Sequence, residues 1–213
     1  GTTGRPKGVE IEHRSILNLV RGDLAEFGLG VDDRVAQGSS ASYDSSIEET
    51  WLAFGVGATL VPVDDERVRS GPDLVPWLRE ERISAFCPPP TLLRAMGVED
   101  PPRELPDLRF LYVGGEALPQ DLSDRWSAHL RLENGYGPTE CTVTVVRGTM
   151  QPGVPVHIGT AVEGNEAFVL DESGARVADG TEGELWIRGI GLARGYRNRP
   201  ETTAERFVMH PEL

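Results

Sequence analysis

The chain has 213 residues, 38% of them hydrophobic, and a formal net charge of −13. This composition is typical of a globular protein and excludes a disordered or collagen-like chain, and the acidic balance argues against nucleic acid or an anionic membrane as the main partner. With only two cysteines, Cys87 and Cys141, it also excludes a disulfide framework and favours a reducing, cytoplasmic location.

Helical and strand-like runs alternate along the first two thirds of the chain. Apolar residues at helical spacing predict a first helix over 14–27, which ends at Gly28. Strands are predicted at about 34–37, 58–63, 83–86, 108–113 and 131–134, and helices at about 46–54, 72–81 (with Ser70 as its cap), 91–96 and 119–130. Residues 64–66 and 101–106 are predicted as surface loops. This alternation predicts an α/β fold with a mostly parallel sheet covered by helices on both faces.

The pattern changes after about residue 147, where glycine and proline become dense. Strand-like runs at 166–170 and 184–188 flank a turn-rich segment. We therefore expect an α/β part over 1–147 and a β-rich, barrel-like subdomain over 148–213.

The opening sequence GTTGRPKG, residues 1–8, could wrap anionic oxygens with backbone N–H groups, hydroxyls and an ammonium. It is not a Walker loop, because Lys7 is followed by Gly8 rather than by Ser or Thr. A purely structural glycine turn is the alternative for this segment.

A second motif, NGYGPTE at residues 134–140, presents an aromatic ring, a hydroxyl and a carboxylate at one tight turn. Tyr136, Thr139 and Glu140 would suit a nucleobase, a phosphate and a divalent cation. An ordinary capped turn is the alternative.

Two further motifs follow the same order along the chain: GGEALP at 114–119 and GELWIRGIGLARGY at 183–196. With all four motifs, the chain resembles the adenylate-forming, AMP-binding superfamily, and most closely the amino-acid adenylation domains of nonribosomal peptide synthetases. The resemblance implies an incomplete large N-terminal domain. It also implies that a ribose-binding Asp and a small C-terminal domain with the catalytic lysine lie beyond Leu213, so that the fragment alone would be poorly active or inactive.

The resemblance also implies which residues bind ATP and Mg²⁺. The phosphate loop would hold the β- and γ-phosphates, Thr139 would lie near the α-phosphate, Glu140 would hold Mg²⁺, and Tyr136 would pack on the adenine. The implied ATP-binding residues are Thr2, Thr3, Gly4, Lys7, Gly115, Glu116, Tyr136, Gly137 and Thr139, and Lys7, Thr139 and Glu140 are the implied catalytic residues.

An amino-acid pocket is implied by the segment SYDSSIEETW, residues 42–51, in which Asp44 would bind the substrate α-ammonium. The implied pocket residues are Asp44, Ser45, Glu48, Cys87, Tyr112, Gly114, Gly135, Val143 and Thr144. Helix capping by Asp44 is the alternative.

Glu48 is the informative pocket position. In an apolar pocket its carboxylate would need a cationic partner, which favours lysine or ornithine as the substrate. The alternative is a capping box formed by Ser45 and Glu48. Gly114 and Gly135 would leave room for a long side chain, and Tyr112 would line its aliphatic stem.

The implied reaction converts an amino acid and ATP into an aminoacyl-adenylate and pyrophosphate, for loading onto the phosphopantetheine thiol of a carrier domain. Carrier and condensation domains of a parent synthetase are the expected partners. An acyl- or aryl-CoA ligase of the same superfamily and a non-catalytic nucleotide-binding module are the alternatives.

Overall fold

The computed structural model describes residues 7–210 and contains a seven-stranded sheet with the strand order β2-β1-β3-β4-β5-β6-β7. The strands are β1 (Arg34–Gln37), β2 (Thr59–Pro62), β3 (Ala85–Phe86), β4 (Phe110–Gly114), β5 (Arg131–Tyr136), β6 (Val146–Thr149) and β7 (Thr160–Ala161). The first five pair in parallel, whereas β6 and β7 add antiparallel strands at one edge. The predicted mostly parallel α/β sheet is confirmed.

Eight α-helices lie within the described residues. They are α1 (His13–Phe27), α2 (Ser45–Phe54), α3 (Asp65–Ser70), α4 (Leu74–Glu80), α5 (Pro90–Ala95), α6 (Pro101–Glu104), α7 (Gln120–Ser127) and α8 (Pro200–Arg206). In this part of the chain no helix is long and apolar enough to cross a membrane.

Alternate residues of the central strands enter two separate cores, one on each face of the sheet. Phe110 packs in a cluster with Phe27 of α1 and Leu52 of α2. The next residue, Leu111, packs in a cluster that includes Trp126 of α7, together with residues of α4 and α5. This alternation follows from the two-residue period of a strand, and it confirms that helices cover both faces.

A second, two-stranded antiparallel sheet joins β8 (Asn165–Leu170) to β9 (Glu184–Gly189). Both strands agree with the predicted runs to within a residue or so at each end. The division of the chain at residue 147 stays a proposal. β6 begins at Val146 and runs across this division, and both proposed parts contribute strands to the larger sheet.

Several predicted loops contain short helices instead. Asp64 caps α3 by accepting a hydrogen bond from the Arg67 N–H at 2.9 Å, so the acidic segment begins a helix. Residues 101–104 form α6, which begins with proline in its first turn. Ser70, the predicted cap of the next helix, is instead the last residue of α3, and Asp73 occupies the N-cap position of α4, so this prediction is wrong. The Ser70 Oγ nevertheless accepts the Asp73 N–H at 3.3 Å.

Candidate active site

A cavity of about 570 Å³ opens at the carboxyl ends of β1, β3, β4 and β5. The chain order along the sheet reverses between β1 and β3, and such a switch point is where open α/β sheets bind ligands. All nine predicted amino-acid-binding residues line this cavity: Asp44, Ser45, Glu48, Cys87, Tyr112, Gly114, Gly135, Val143 and Thr144. The sheet therefore brings together residues from four separate segments of the sequence.

Asp44 immediately precedes α2 but does not cap it with its side chain. Its Oδ2 is buried, and no hydrogen-bond partner for it occurs among residues 7–210. The helix-cap alternative for Asp44 is therefore wrong. A buried, unpartnered carboxylate oxygen on the wall of a cavity is suited to a cationic or N–H-donating ligand.

Glu48 lies one helical turn beyond Asp44, and only 5% of Glu48 is exposed to solvent. Thr144 Oγ1 lies 3.5 Å from Glu48 Oε2, while Oε1 has no hydrogen-bond partner in the described part of the chain. The carboxyl group does not turn back to the start of α2, so the capping-box alternative with Ser45 is wrong. Burial, followed by the neighbouring Asp23 carboxyl, raises the pKa of Glu48 well above its ordinary value.

Tyr112 fills the space beside Gly135. A Cβ at residue 135 would lie 2.6 Å from the Tyr112 hydroxyl oxygen, closer than real contacts allow. The Tyr112 hydroxyl donates to Thr144 Oγ1 at 2.7 Å. The absence of a side chain at Gly135 therefore accommodates Tyr112, and the prediction that Gly135 leaves room for the substrate is corrected.

The segment that carries Val143 and Thr144 has an uncommon backbone. Thr142 and Val143 have φ values of 61° and 62°, which a β-branched residue rarely adopts. The Thr142 hydroxyl donates to the Gly191 carbonyl at 2.6 Å and holds the turn. Such strain is maintained where the surrounding structure demands it, and here it directs two residues into the cavity.

Glu49 also lines the cavity, and sequence reasoning missed it. Its carboxylate accepts the Ser39 N–H at 3.1 Å and the Ser39 hydroxyl at 2.9 Å, which fixes the loop that follows β1. Burial raises the pKa of Glu49 to about 7, against these hydrogen bonds, which lower it. Burial raises the pKa of the Cys87 thiol well above its ordinary value, which disfavours the nucleophilic thiolate form.

Predicted nucleotide-binding residues lie at the same edge of the sheet. Gly115, Glu116 and Gly137 line the cavity, and the Tyr136 ring is exposed at the end of β5. The predicted contacts of Thr2, Thr3 and Gly4 lie outside the described residues.

Glu140, Lys7 and Tyr196 form a separate polar cluster. The Tyr196 hydroxyl donates to Glu140 Oε1, and Lys7 Nζ lies 4.0 Å from the same oxygen. Lys7 also lies over the Tyr196 ring, with Nζ 4.5 Å from the centroid. Sequence reasoning missed Tyr196, although it stands in the last of the four motifs. Thr139 begins the short 3₁₀ turn Thr139–Cys141 that carries Glu140.

The donor set at Glu140 fits a magnesium ion that is bound mainly through a nucleotide. Among residues 7–210 there is no group of three or more His, Cys, Asp or Glu side chains that could hold a metal ion. Mg²⁺ typically takes one or two protein carboxylates and completes its octahedron with phosphates and water. A single partly exposed carboxylate beside a lysine is compatible with this mode of binding.

The chain is similar in sequence and in structure to several known proteins. Residues 1–197 match the family model described as AMP-binding enzyme. A linear gramicidin synthase of Brevibacillus parabrevis is 46% identical over 213 residues, which cover 99% of this chain and 4% of that protein. Among solved structures, CmiS6 has a TM-score of 0.88 at 32% identity, covering 99% of this chain and 53% of that one. FmoA3, a nonribosomal peptide synthetase, has a TM-score of 0.90 at 29% identity, covering 98% of this chain and 24% of that one.

The chain thus spans at most about half the length of these three relatives. The family model nevertheless covers nearly all of its residues, and the predicted resemblance is confirmed. The chain belongs to the AMP-binding enzyme family.

Proposed function

We propose that the chain activates an amino acid with a cationic side chain, lysine or ornithine in the first place, as its aminoacyl-adenylate with release of pyrophosphate. The single observation that carries the proposal is the pair of carboxylates at α2. Asp44 and Glu48 both line the cavity, and each has a buried oxygen without a partner among the described residues. Two unpartnered carboxylates suit a ligand with two ammonium groups.

The spacing of the pair supports this choice. Residues i and i+4 lie on one face of a helix, and the rise of 1.5 Å per residue separates them by about 6 Å along the axis. We assign Asp44, at the helix start, to the α-ammonium that every amino acid carries. We assign the more deeply buried Glu48 to the side-chain ammonium.

The energetic argument concerns Glu48. An ionised carboxylate buried without a partner is costly, so Glu48 can ionise only when the ligand supplies a cation, and a neutral ligand gains no such contact. A substrate ammonium would form a charge-assisted hydrogen bond with it instead. The buried Tyr112 ring stands beside Thr144, where it can line the aliphatic part of the substrate.

At the nucleotide end, we assign Lys7 to the phosphates, Thr139 to the surroundings of the α-phosphate, and Tyr136 to the adenine. Mg²⁺ held by Glu140 would neutralise phosphate charge when bound. The substrate carboxylate attacks the α-phosphorus and the bond to the pyrophosphate leaving group breaks. Positioning and charge neutralisation supply most of the acceleration in such a transfer.

We further propose that the adenylate is passed to the phosphopantetheine thiol of a carrier domain, with condensation domains as further partners. Support comes from the similarity to the linear gramicidin synthase of Brevibacillus parabrevis, of which the chain covers 4%. Because its relatives are longer, we expect the 213 residues tested by themselves to adenylate weakly.

The test is amino-acid-dependent exchange of pyrophosphate into ATP, measured on the complete gene product that contains this chain. Lysine and ornithine are compared with norleucine and norvaline, which lack only the side-chain ammonium. Glu48→Gln should lower kcat/KM for the cationic substrates by roughly ten- to a hundredfold, the value of a hydrogen bond to a charged group, and should spare the neutral ones. Glu201→Gln, at an exposed position on α8, is the control. A wild-type preference for the neutral analogues would refute the proposed substrate class.

A further inference from the structure

A buried ion pair joins α1 to β6, and neither of its two residues lines the cavity. Asp23 of α1 has a fully buried side chain, and the side chain of Arg147 of β6 is 6% exposed. Arg147 donates to Asp23 Oδ1 and to the partly exposed Glu26, and its guanidinium stacks on Phe27, 4.6 Å from the ring centroid. Neither Asp23 nor Arg147 belongs to any motif identified in the sequence.

Asp23 of α1 and Glu48 of α2 lie on helices that pack against each other, and each carboxyl group influences the pKa of the other. Asp23 Oδ2 and Glu48 Oε1 are both buried, and neither has a hydrogen-bond partner within residues 7–210. Two adjacent buried carboxyls cannot both ionise without a large cost, but a single shared proton satisfies both oxygens at once. Burial and this proximity raise the pKa of Glu48, and burial raises that of Asp23.

The buried charges balance in only one way when the cavity holds no ligand. With Glu48 protonated, Asp23 and Arg147 cancel, whereas an ionised Glu48 leaves one negative charge uncompensated. The titratable groups that face Glu48 are Asp23 from α1, Tyr112 from β4, Arg147 from β6 and Cys87 after β3. Arg147 is the one cation of this set, and Asp23 and Glu26 already engage it.

We propose that Asp23 and Arg147 are specificity-determining residues of the amino-acid pocket, and that the cationic side chain of the substrate enters in exchange for the proton that Asp23 and Glu48 share. The ammonium keeps its own protons, the Glu48 proton passes to the solvent, and the buried charge remains zero before and after binding. A neutral side chain leaves the proton in place. The substrate class in this proposal rests on the proposed function above.

The substitution Asp23→Asn tests whether the charge of Asp23 keeps Glu48 protonated in the empty pocket. Without the Asp23 charge, Arg147 becomes available to compensate Glu48, so Glu48 ionises in the empty pocket and a cationic ligand is no longer required to balance it. We expect the ratio of affinities for ornithine over norvaline to fall at least tenfold. Glu26→Gln is the matched control, because it removes another Arg147 partner that is partly exposed and does not contact Glu48. It should leave the ratio unchanged.

The experiment is titration calorimetry of the complete gene product with ornithine and with norvaline, in buffers of different ionisation enthalpy near pH 7. Wild type should release close to one proton per ornithine bound and none with norvaline, and Asp23→Asn should release close to none with either. Proton release that is equal for the two ligands, or unchanged in Asp23→Asn, would overturn the proposal.

Isotope-edited infrared spectroscopy of the wild type provides a test that does not depend on the folding of the Asp23 variant and that begins with the ligand-free protein. A protonated carboxyl band should be present near neutral pH, absent in Glu48→Gln, and lost when ornithine binds. If no such band exists, the shared proton is refuted even where ornithine is preferred. If the band exists and norvaline binds better than ornithine, the substrate class fails and the shared proton stands.

Discussion

The proposed amino-acid pocket and the separate Glu140 cluster treat their carboxylates in opposite ways. In the pocket, Asp44 and Glu48 each keep a buried oxygen without a partner in the described chain. In the cluster, Glu140 is partly exposed and is already engaged by the Tyr196 hydroxyl and approached by Lys7. On the proposed assignments, the pocket can receive charge directly from a ligand, whereas the cluster has internal contacts that a nucleotide and a metal would have to replace.

The largest effect should come from Asp44→Ala. If this carboxylate binds the α-ammonium, its loss should lower kcat/KM in pyrophosphate exchange for every amino acid by a hundredfold or more, since removing one member of a buried ion pair costs about 3–5 kcal/mol. Asp107→Ala, at an exposed position before β4, should behave as wild type. Exchange that survives in Asp44→Ala would show that our assignment of the pocket is mistaken.

Glu49→Gln should change the pH dependence of stability rather than the selectivity. The pKa of Glu49 is raised to about 7 in the folded protein, so the folded state holds this proton more tightly than the unfolded state does. Its contribution to stability is complete below about pH 4.5 and is lost as the pH rises toward 7, by up to about 3 kcal/mol.

The glutamine variant cannot ionise, and it keeps an acceptor oxygen for Ser39. The thermal unfolding temperature of Glu49→Gln should therefore fall less steeply with rising pH than that of wild type, between pH 5 and pH 8. Glu201→Gln should follow wild type. Parallel curves for Glu49→Gln and wild type would contradict the buried, proton-binding role of this carboxyl.

The smallest effect should come from Tyr196→Phe, which removes the hydroxyl that Glu140 would have to release in order to hold Mg²⁺ as proposed. A hydrogen bond to a charged group is worth about 1.5–3 kcal/mol when buried, and the partial exposure of Glu140 reduces this, so the Mg²⁺ concentration for half-maximal exchange should fall roughly two- to fivefold. The KM for the amino acid should not change. A higher Mg²⁺ requirement would mean that Tyr196 positions Glu140 for the metal instead of competing with it.

The regular part of the fold was accessible from sequence because its signal is local and periodic. Apolar spacing gave α1 to within one residue and β1 with its observed bounds. The short helices α3 and α6 and the antiparallel strands β6 and β7 were missed. Their few residues carry little periodicity, and β6 owes its conformation to pairing with β5.

The sequence also identified the residue types of the candidate site. All nine residues predicted to bind the amino acid line one cavity. What those side chains do depends on tertiary contacts. Ser45 and Glu48 have the spacing of a capping box. However, the packing of α2 against α1 and the sheet directs the Glu48 side chain inward. Gly135 suggested open space until the adjacent strand β4 brought the Tyr112 ring beside it.

The sequence by itself determined the α/β alternation, the order of the motifs and the chemistry of the exposed and buried positions. Only the tertiary structure decided that Asp23, Glu48 and Arg147 meet. They come from the first helix, the second helix and the sixth strand, and the two members of the ion pair are 124 positions apart in the sequence. No local pattern encodes such a contact, because its energy arises from burial and from charges that approach each other only after the sheet has formed.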